Sequence, residues 1–373
     1  MSNHTSELME PWGYDVAAAV LTVVQCFGLS LNLFVIILMC RDAQIWNPIN
    51  IIIFNLAFCD FAVSIFGNPF ALISAFSHRW IFGELGCKLY GFFMALLGIT
   101  SITTIAVMSF ERFFLVNFPF SSKQLTNRGA RYSVFLIWIY SGAVTIPPLF
   151  GWGAYVSEAA NISCSINWEE QSWNAKSYIT FLFVFGLVVP FFVIVYCYTK
   201  ILLAMRKSAN RLNRTNPAEK KVIQMVFIMF SFFMIGWSPY AAFALIKQYG
   251  NKDWISPAMG VIPSIFAKVT ICYNPIIYVG LNTQFRQSFF RTVGGKFSAS
   301  KTTTVSTTAN LMDSEAKVMV KNKLRIANVN EELRRAVDVT ANVSSAEAIE
   351  MNVIGEGKRK EKSVRIEIAE NVV

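Results

Sequence analysis

The sequence predicts an all-α membrane protein: a seven-transmembrane helix bundle followed by a short interfacial eighth helix. Three observations carry this reading. Of the 373 residues, 54% are hydrophobic and only 15% charged, with a mean hydropathy of +0.45. The charges are also uneven, since 24 fall in the last 80 positions and 32 in the first 293, too few to cover a soluble globule of that size. Finally, seven apolar stretches approach or exceed the about 20 residues that cross about 30 Å of hydrocarbon. They lie at 16–40, 50–76, 85–116, 131–152, 177–203, 221–247 and 256–280. A soluble enzyme and a nucleic-acid binder are both hard to sustain on this pattern. The formal charge of +10 sits in short basic clusters between apolar runs, which suits a membrane surface.

Residues 1–15 carry Glu7, Glu10 and Asp15 but no Lys or Arg, so they lack the basic start of a cleavable signal, and the first span serves as its own signal. The loops set the orientation. One side holds Lys123, Arg128 and Arg131, then Lys200, Arg206, Lys207, Arg211, Arg214, Lys220 and Lys221; the other holds Glu84, Glu158, Glu169, Glu170 and Asp253. The excess of bases faces the cytoplasm. The expected layout is an extracellular N-terminus at 1–15, a helical domain at 16–282, an interfacial helix at 283–292 and a cytoplasmic, mostly disordered tail at 293–373. Sequons at Asn3 and Asn161 are then external and open to glycosylation, whereas those at Asn213 and Asn342 are internal.

Taken in order, the spans carry polar residues that hydrocarbon penalises. Span one holds Asn32. Span two holds Asp60, either a structural group satisfied by Asn32, Asn274 or water, or part of a switching network. Span three ends in Glu111-Arg112, and Glu219 opens span six at the same depth, so Arg112 is placed to pair with both. Span four holds Trp138, and span five Pro190 and Tyr198. Span six carries Trp237-Ser238-Pro239-Tyr240 and span seven ends Asn274-Pro275-Ile276-Ile277-Tyr278; a proline inside a helix removes a backbone hydrogen bond and favours a bend. Phe285 to Phe290 alternates charge and aromatic bulk as an interfacial helix does. Beyond it, Ser298 to Thr308 is rich in Ser and Thr. The seven cysteines show no C-x-x-C pair, so at most one disulfide is expected, and two histidines, His4 and His78, give no pattern for a triad or a metal site.

Within span seven lies Lys268, more than a turn from either interface. An amine buried in apolar surroundings favours its neutral form, the form that attacks an aldehyde to make an imine. The ordered set of Asn32, Leu56 to Asp60, Glu111-Arg112, Trp138, Pro190, Tyr198, Trp237 to Tyr240 and Asn274 to Tyr278 resembles the rhodopsin-like class of G-protein-coupled receptors over residues 16–292. Lys268, six residues before Asn274-Pro275, resembles the lysine of opsins specifically.

That resemblance implies retinal held on Lys268 as a Schiff base, 11-cis in the dark and all-trans after light. It also implies a Cys87–Cys164 disulfide holding the second loop over the pocket, and a pocket built from Tyr90, Gly98, Trp168, Trp237 and Tyr240. A protonated imine needs an anion. Vertebrate visual opsins place a glutamate three residues after the span-three cysteine, but here that residue is Tyr90, whose phenol is neutral at pH 7. Glu158, six residues before Cys164, matches the second-loop acidic site of many invertebrate and bistable opsins and is the expected counterion.

The leading expectation is therefore a light-activated receptor in a plasma or photoreceptor membrane, partnered by a heterotrimeric G protein and then by receptor kinase and arrestin. Asp60, Glu111, Arg112, Glu219, Asn274, Pro275 and Tyr278 form its expected switch. Asn282-Thr283-Gln284 resembles the tripeptide of ciliary-type opsins and the third inward loop lacks the insertion typical of rhabdomeric ones, which implies coupling of the Gi/Go/transducin kind; Tyr90 and Thr283 together resemble an invertebrate ciliary opsin or xenopsin, and the Glu158 site a bistable pigment. A photoisomerase of the same family and a receptor for a diffusible ligand are the alternatives. A transporter or channel lacks internal repeats to support it.

Overall fold

The computed structural model describes residues 8–118, 124–158, 160–207, 217–251, 254 and 256–293. Among them are ten α-helices and one β-hairpin. The helices are α1 (Pro11–Arg41), α2 (Pro48–Phe66), α3 (Asn68–Phe76), α4 (Gly83–Asn117), α5 (Asn127–Thr145), α6 (Trp173–Phe183), α7 (Val189–Lys207), α8 (Pro217–Tyr249), α9 (Pro257–Leu281) and α10 (Thr283–Val293). The hairpin pairs β1 (Tyr155–Ser157) with β2 (Cys164–Ile166). The helices form seven spans, with α2 and α3 making the second and α6 and α7 the fifth. Six spans are long and apolar enough to cross a membrane. The fourth is α5, 19 residues with Arg128 and Arg131 near its start, packed against α2 and α4. Asn3, Asn213, Asn342, the Ser/Thr cluster and the tail lie outside the described residues, as does the side chain of Glu219.

The helix starts follow local chemistry. Asn47, Thr126, Ser172 and Ser256 each accept a backbone N–H of the following turn, the bond an N-cap supplies. Where the spans depart from straight apolar runs, proline is the cause. Span two is divided at Gly67 because Pro69 has no N–H to continue the ladder, and it restarts as α3 with the proline in its first turn. Span four is helical only to Thr145 and then tightens into a 3-10 turn at Pro147–Phe150, shorter than the 131–152 expected. In span five, a π-turn at Val184–Val188 precedes Pro190, and the Tyr140 hydroxyl donates to the Phe185 carbonyl at 2.6 Å. Pro239 and Pro275 lie inside helices that run on without interruption.

The hairpin lies at one end of the bundle and α10 at the other. α10 is fastened to the turn after α1. Asn282 caps it, accepting from the Gln284 and Phe285 amides, and donates to Asn50 at 3.1 Å. Further along, Ser288 and Arg291 both donate to Asp42 Oδ2 at 2.6 Å. The Ser288 hydroxyl, aided by the Gln44 amide and the Arg291 charge, holds the Asp42 carboxyl below the ordinary carboxylate range. Phe285 is fully buried against Tyr278, so α10 is packed as well as hydrogen-bonded.

Candidate functional site: a cavity beneath the hairpin

Between the spans, beneath the hairpin, is a cavity of about 410 Å³, within the range of small-molecule sites. Lys268 reaches it from α9. Its amine is buried and donates to the Ser264 hydroxyl at 2.7 Å, one turn earlier on the same helix face. Among the described residues no carboxylate forms an ion pair with Lys268; Glu158 lines the same cavity.

The hairpin positions Glu158. Register pairs Ser157 with Cys164, so Glu158 begins the turn opposite Ser163 and its amide donates to the Ser163 carbonyl at 2.8 Å. The Cys87–Cys164 disulfide, with Cα atoms 5.4 Å apart, ties this turn to the first turns of α4. Glu158 Oε2 accepts the Ser163 hydroxyl and Oε1 accepts the Tyr240 hydroxyl at 2.8 Å. The Tyr240 oxygen in turn accepts from Trp168 Nε1 at 3.2 Å. The carboxylate is thus held by donors from its own loop and from span six. Burial keeps the nearby Tyr155 phenol protonated well above its ordinary range, and that hydroxyl donates to the Thr145 carbonyl, anchoring β1 to α5.

Tyr90, Gly98, Trp168, Trp237 and Tyr240 all line the cavity. Tyr90 is buried, and among the described residues neither its hydroxyl nor the buried Trp237 Nε1 has a hydrogen-bond partner. Polar atoms left this way are costly unless a ligand or water meets them. Gly98 is required for space, since a Cβ there would lie 2.7 Å from Trp237 Cη2. Gly98→Ala should therefore overpack this contact, costing about 1–3 kcal/mol. The readout is the thermal midpoint of the purified protein; a midpoint equal to wild type would count against the contact.

Deeper in the bundle, Asn274 Nδ2 donates to Asp60 Oδ2 at 2.8 Å. Asn32 instead donates to the Gly28 and Ile271 carbonyls, so of the partners expected for Asp60 the structure supplies Asn274. Both Asp60 and Asn274 touch the floor of the cavity. Tyr278 is fully buried, with its hydroxyl unpartnered among the described residues. At the α10 end, Arg112 is buried and paired with Glu111. Trp138 donates to Asn55, which donates to Thr104, linking spans two, three and four.

Residues 31–278 match the sequence profile of the 7 transmembrane receptor (rhodopsin family). Opsin-VA of Rutilus rutilus is 34% identical over 280 residues, covering 74% of this chain and 73% of its own length. The GQ-coupled rhodopsin of Mizuhopecten yessoensis is 30% identical over 309 residues, covering 78% of this chain and 62% of its own. The crystal structure of squid rhodopsin superposes with a TM-score of 0.72 at 30% identity, covering 78% of this chain and 88% of that one. The chain belongs to the opsins. This opsin is accordingly a multi-pass membrane receptor of the light-sensing, G-protein-coupled class, not an enzyme, and membership implies a retinal chromophore and a G-protein partner.

Two residues of the opsin's site escaped the sequence reading. Ser264 precedes Lys268 by four positions, a spacing that places both on one helix face and was available as a signal. Ser163 was legible only as the third residue of the Asn161 sequon, yet its hydroxyl serves Glu158. Asn161 itself sits in the hairpin turn at φ +55°, accepting the Ser157 hydroxyl at 2.6 Å.

Proposed function

We propose that this opsin is a light-activated receptor carrying retinal on Lys268 as a Schiff base, with Glu158 as the counterion. The observation that carries the reading is a buried lysine amine and a loop carboxylate facing one largely apolar cavity. The cavity fits the group: its volume suits a polyene, Trp237, Tyr240 and Trp168 supply flat apolar walls, and Gly98 leaves room against the indole. Retinal, when bound, supplies the absorption of light and the 11-cis to all-trans change. The protein's own residues do the rest. Lys268 offers the attaching amine. Glu158, held by Ser163 and Tyr240, offers a fixed negative charge. The aromatic walls exclude water.

The hairpin end and residues 1–15 are extracellular in this proposal, with Asn3 and Asn161 as glycosylation sites, and the α10 end is cytoplasmic, followed by a tail from 293. Glu111, Arg112 and Glu219 form the cytoplasmic part of the switch in this proposal, because an ion pair shielded between helices biases a two-state switch. Asp60, Asn274, Pro275 and Tyr278 form the part of that switch nearest the cavity. Phosphates on the Ser298 to Thr308 cluster would recruit arrestin after a receptor kinase acts. A loop counterion need not take up the proton on activation, which supports a bistable pigment of the invertebrate ciliary or xenopsin kind. The Asn282-Thr283-Gln284 tripeptide supports Gi/Go/transducin-type coupling.

The test is a spectrum after adding 11-cis-retinal, followed by light-dependent nucleotide exchange on purified Gi and Gq heterotrimers. We expect a pigment and light-driven exchange on Gi. No pigment overturns the retinal reading, exchange on Gq alone overturns the coupling, and a pigment without exchange on either overturns the signalling reading.

A further inference from the structure

The last turn of α8 is fastened at three successive residues. Lys247, buried at 6% exposure, pairs with Glu169 of the second loop at 3.0 Å. Gln248, buried at 2%, exchanges bonds with the next two loop residues: its Nε2 donates to the Glu170 carbonyl at 3.2 Å, and its own carbonyl accepts from Gln171 Nε2 at 3.1 Å. Tyr249 shares a hydrogen bond with Thr180 of α6 at 2.9 Å. These residues lie within about two and a half turns of Tyr240, Ala244 and Leu245, which line the cavity, and the loop residues directly follow Trp168, which roofs it. The lid is therefore held on two sides, by the Cys87–Cys164 disulfide to α4 and by this cluster to α8.

We propose that Lys247 and Glu169, with the Gln248 exchange beside them, form a clasp that closes the mouth of the cavity between the lid and span six and so governs passage of retinal and of water-borne reagents. The physical case rests on asymmetry. Lys247 is almost wholly removed from solvent while Glu169 is half exposed, so their pair ties a buried point of α8 to an exposed point of the loop, and removing Glu169 takes away one of the bonds that fasten the two together. Local opening of the segment then becomes more frequent. None of the clasp residues lines the cavity, so its loss should change access without changing the surroundings of Lys268.

The inference deepens the retinal reading, and its first test does not need it. Hydrogen–deuterium exchange on the full chain without retinal should show amides 168–171 and 246–249 exchanging about tenfold faster in Glu169→Gln and Lys247→Met than in wild type. The second test uses the pigment and hydroxylamine, which attacks the imine carbon, gives retinal oxime and returns the Lys268 amine. That reaction in the dark should also speed about tenfold, with the absorption maximum unmoved, and the charge-swapped pair Lys247→Glu with Glu169→Lys should slow it again. Glu169 is the exposed partner, so Glu169→Gln retains the fold if Lys247→Met does not. Wild-type exchange and wild-type hydroxylamine rates in Glu169→Gln would overturn the clasp, as would faster reaction accompanied by a shifted absorption maximum. Faster exchange in a chain that forms no pigment would keep the clasp as a lid fastening and overturn the retinal reading alone.

Discussion

Replacing Lys268 with alanine should abolish covalent attachment of retinal and leave a folded protein. Among the described residues the amine makes one hydrogen bond, to Ser264, and no ion pair, so its removal strands none of their carboxylates: Glu158 keeps its bonds to Ser163 and Tyr240. Ser264 can turn its hydroxyl to a carbonyl of the preceding turn, a common bond for a helical serine. The loss of function should nonetheless be complete. Lys247 is the other buried lysine among the described residues, and it is paired with Glu169 outside the cavity lining, so it cannot take over. Acid denaturation of retinal-treated wild type and Lys268→Ala, followed by detection of retinal on the polypeptide, checks this. Retinal still bound to the mutant chain would sink the assignment; an unfolded mutant is recognised by its lost thermal transition.

The parts of this site that were legible in the sequence are those whose chemistry is out of place. Asp60 and Lys268 are charges deep within apolar runs, and hydrocarbon makes such residues conspicuous. The seven runs themselves are visible because each must be long and apolar. What stayed hidden depends on chain reversal. Tyr240 and Glu158 are 82 residues apart and meet only because the hairpin folds back over the bundle. The same is true of Lys247 with Glu169 and of Asp42 with Arg291, ordinary surface-type residues until the fold brings them together. Helix interruptions were hidden for another reason. Pro69, Pro190 and Pro239 are equally visible in the sequence, but the first breaks its span, the second follows a π-turn and the third lies in an unbroken helix, because the neighbouring packing decides how the lost bond is absorbed.

Glu158→Gln should have the second large effect, and the geometry makes it a clean removal of charge. Glutamine matches the carboxylate in size and retains an oxygen for the Tyr240 hydroxyl, so the link between the lid and span six survives while the negative charge is lost. An opposite charge nearby favours the protonated imine, so removing it favours the neutral one. The visible-absorbing form should then give way to an ultraviolet-absorbing form at a pH lower by about 1–3 units than in wild type. Tyr90→Phe is the control. Its hydroxyl lines the same cavity, has no hydrogen-bond partner among the described residues and carries no charge at neutral pH, so removing it should move the titration far less. Spectra of the three proteins recorded across pH, before and after light, distinguish the possibilities. If Glu158→Gln titrates like wild type, the anion lies elsewhere, and Asp60 at the cavity floor, bonded to Asn274, becomes the next carboxylate to neutralise. The same spectra test the bistable reading. With the charge fixed on the loop by Ser163 and Tyr240, the photoproduct of wild type should stay attached and protonated, and light of its own wavelength should restore the starting spectrum; release of free retinal after the first exposure would exclude it.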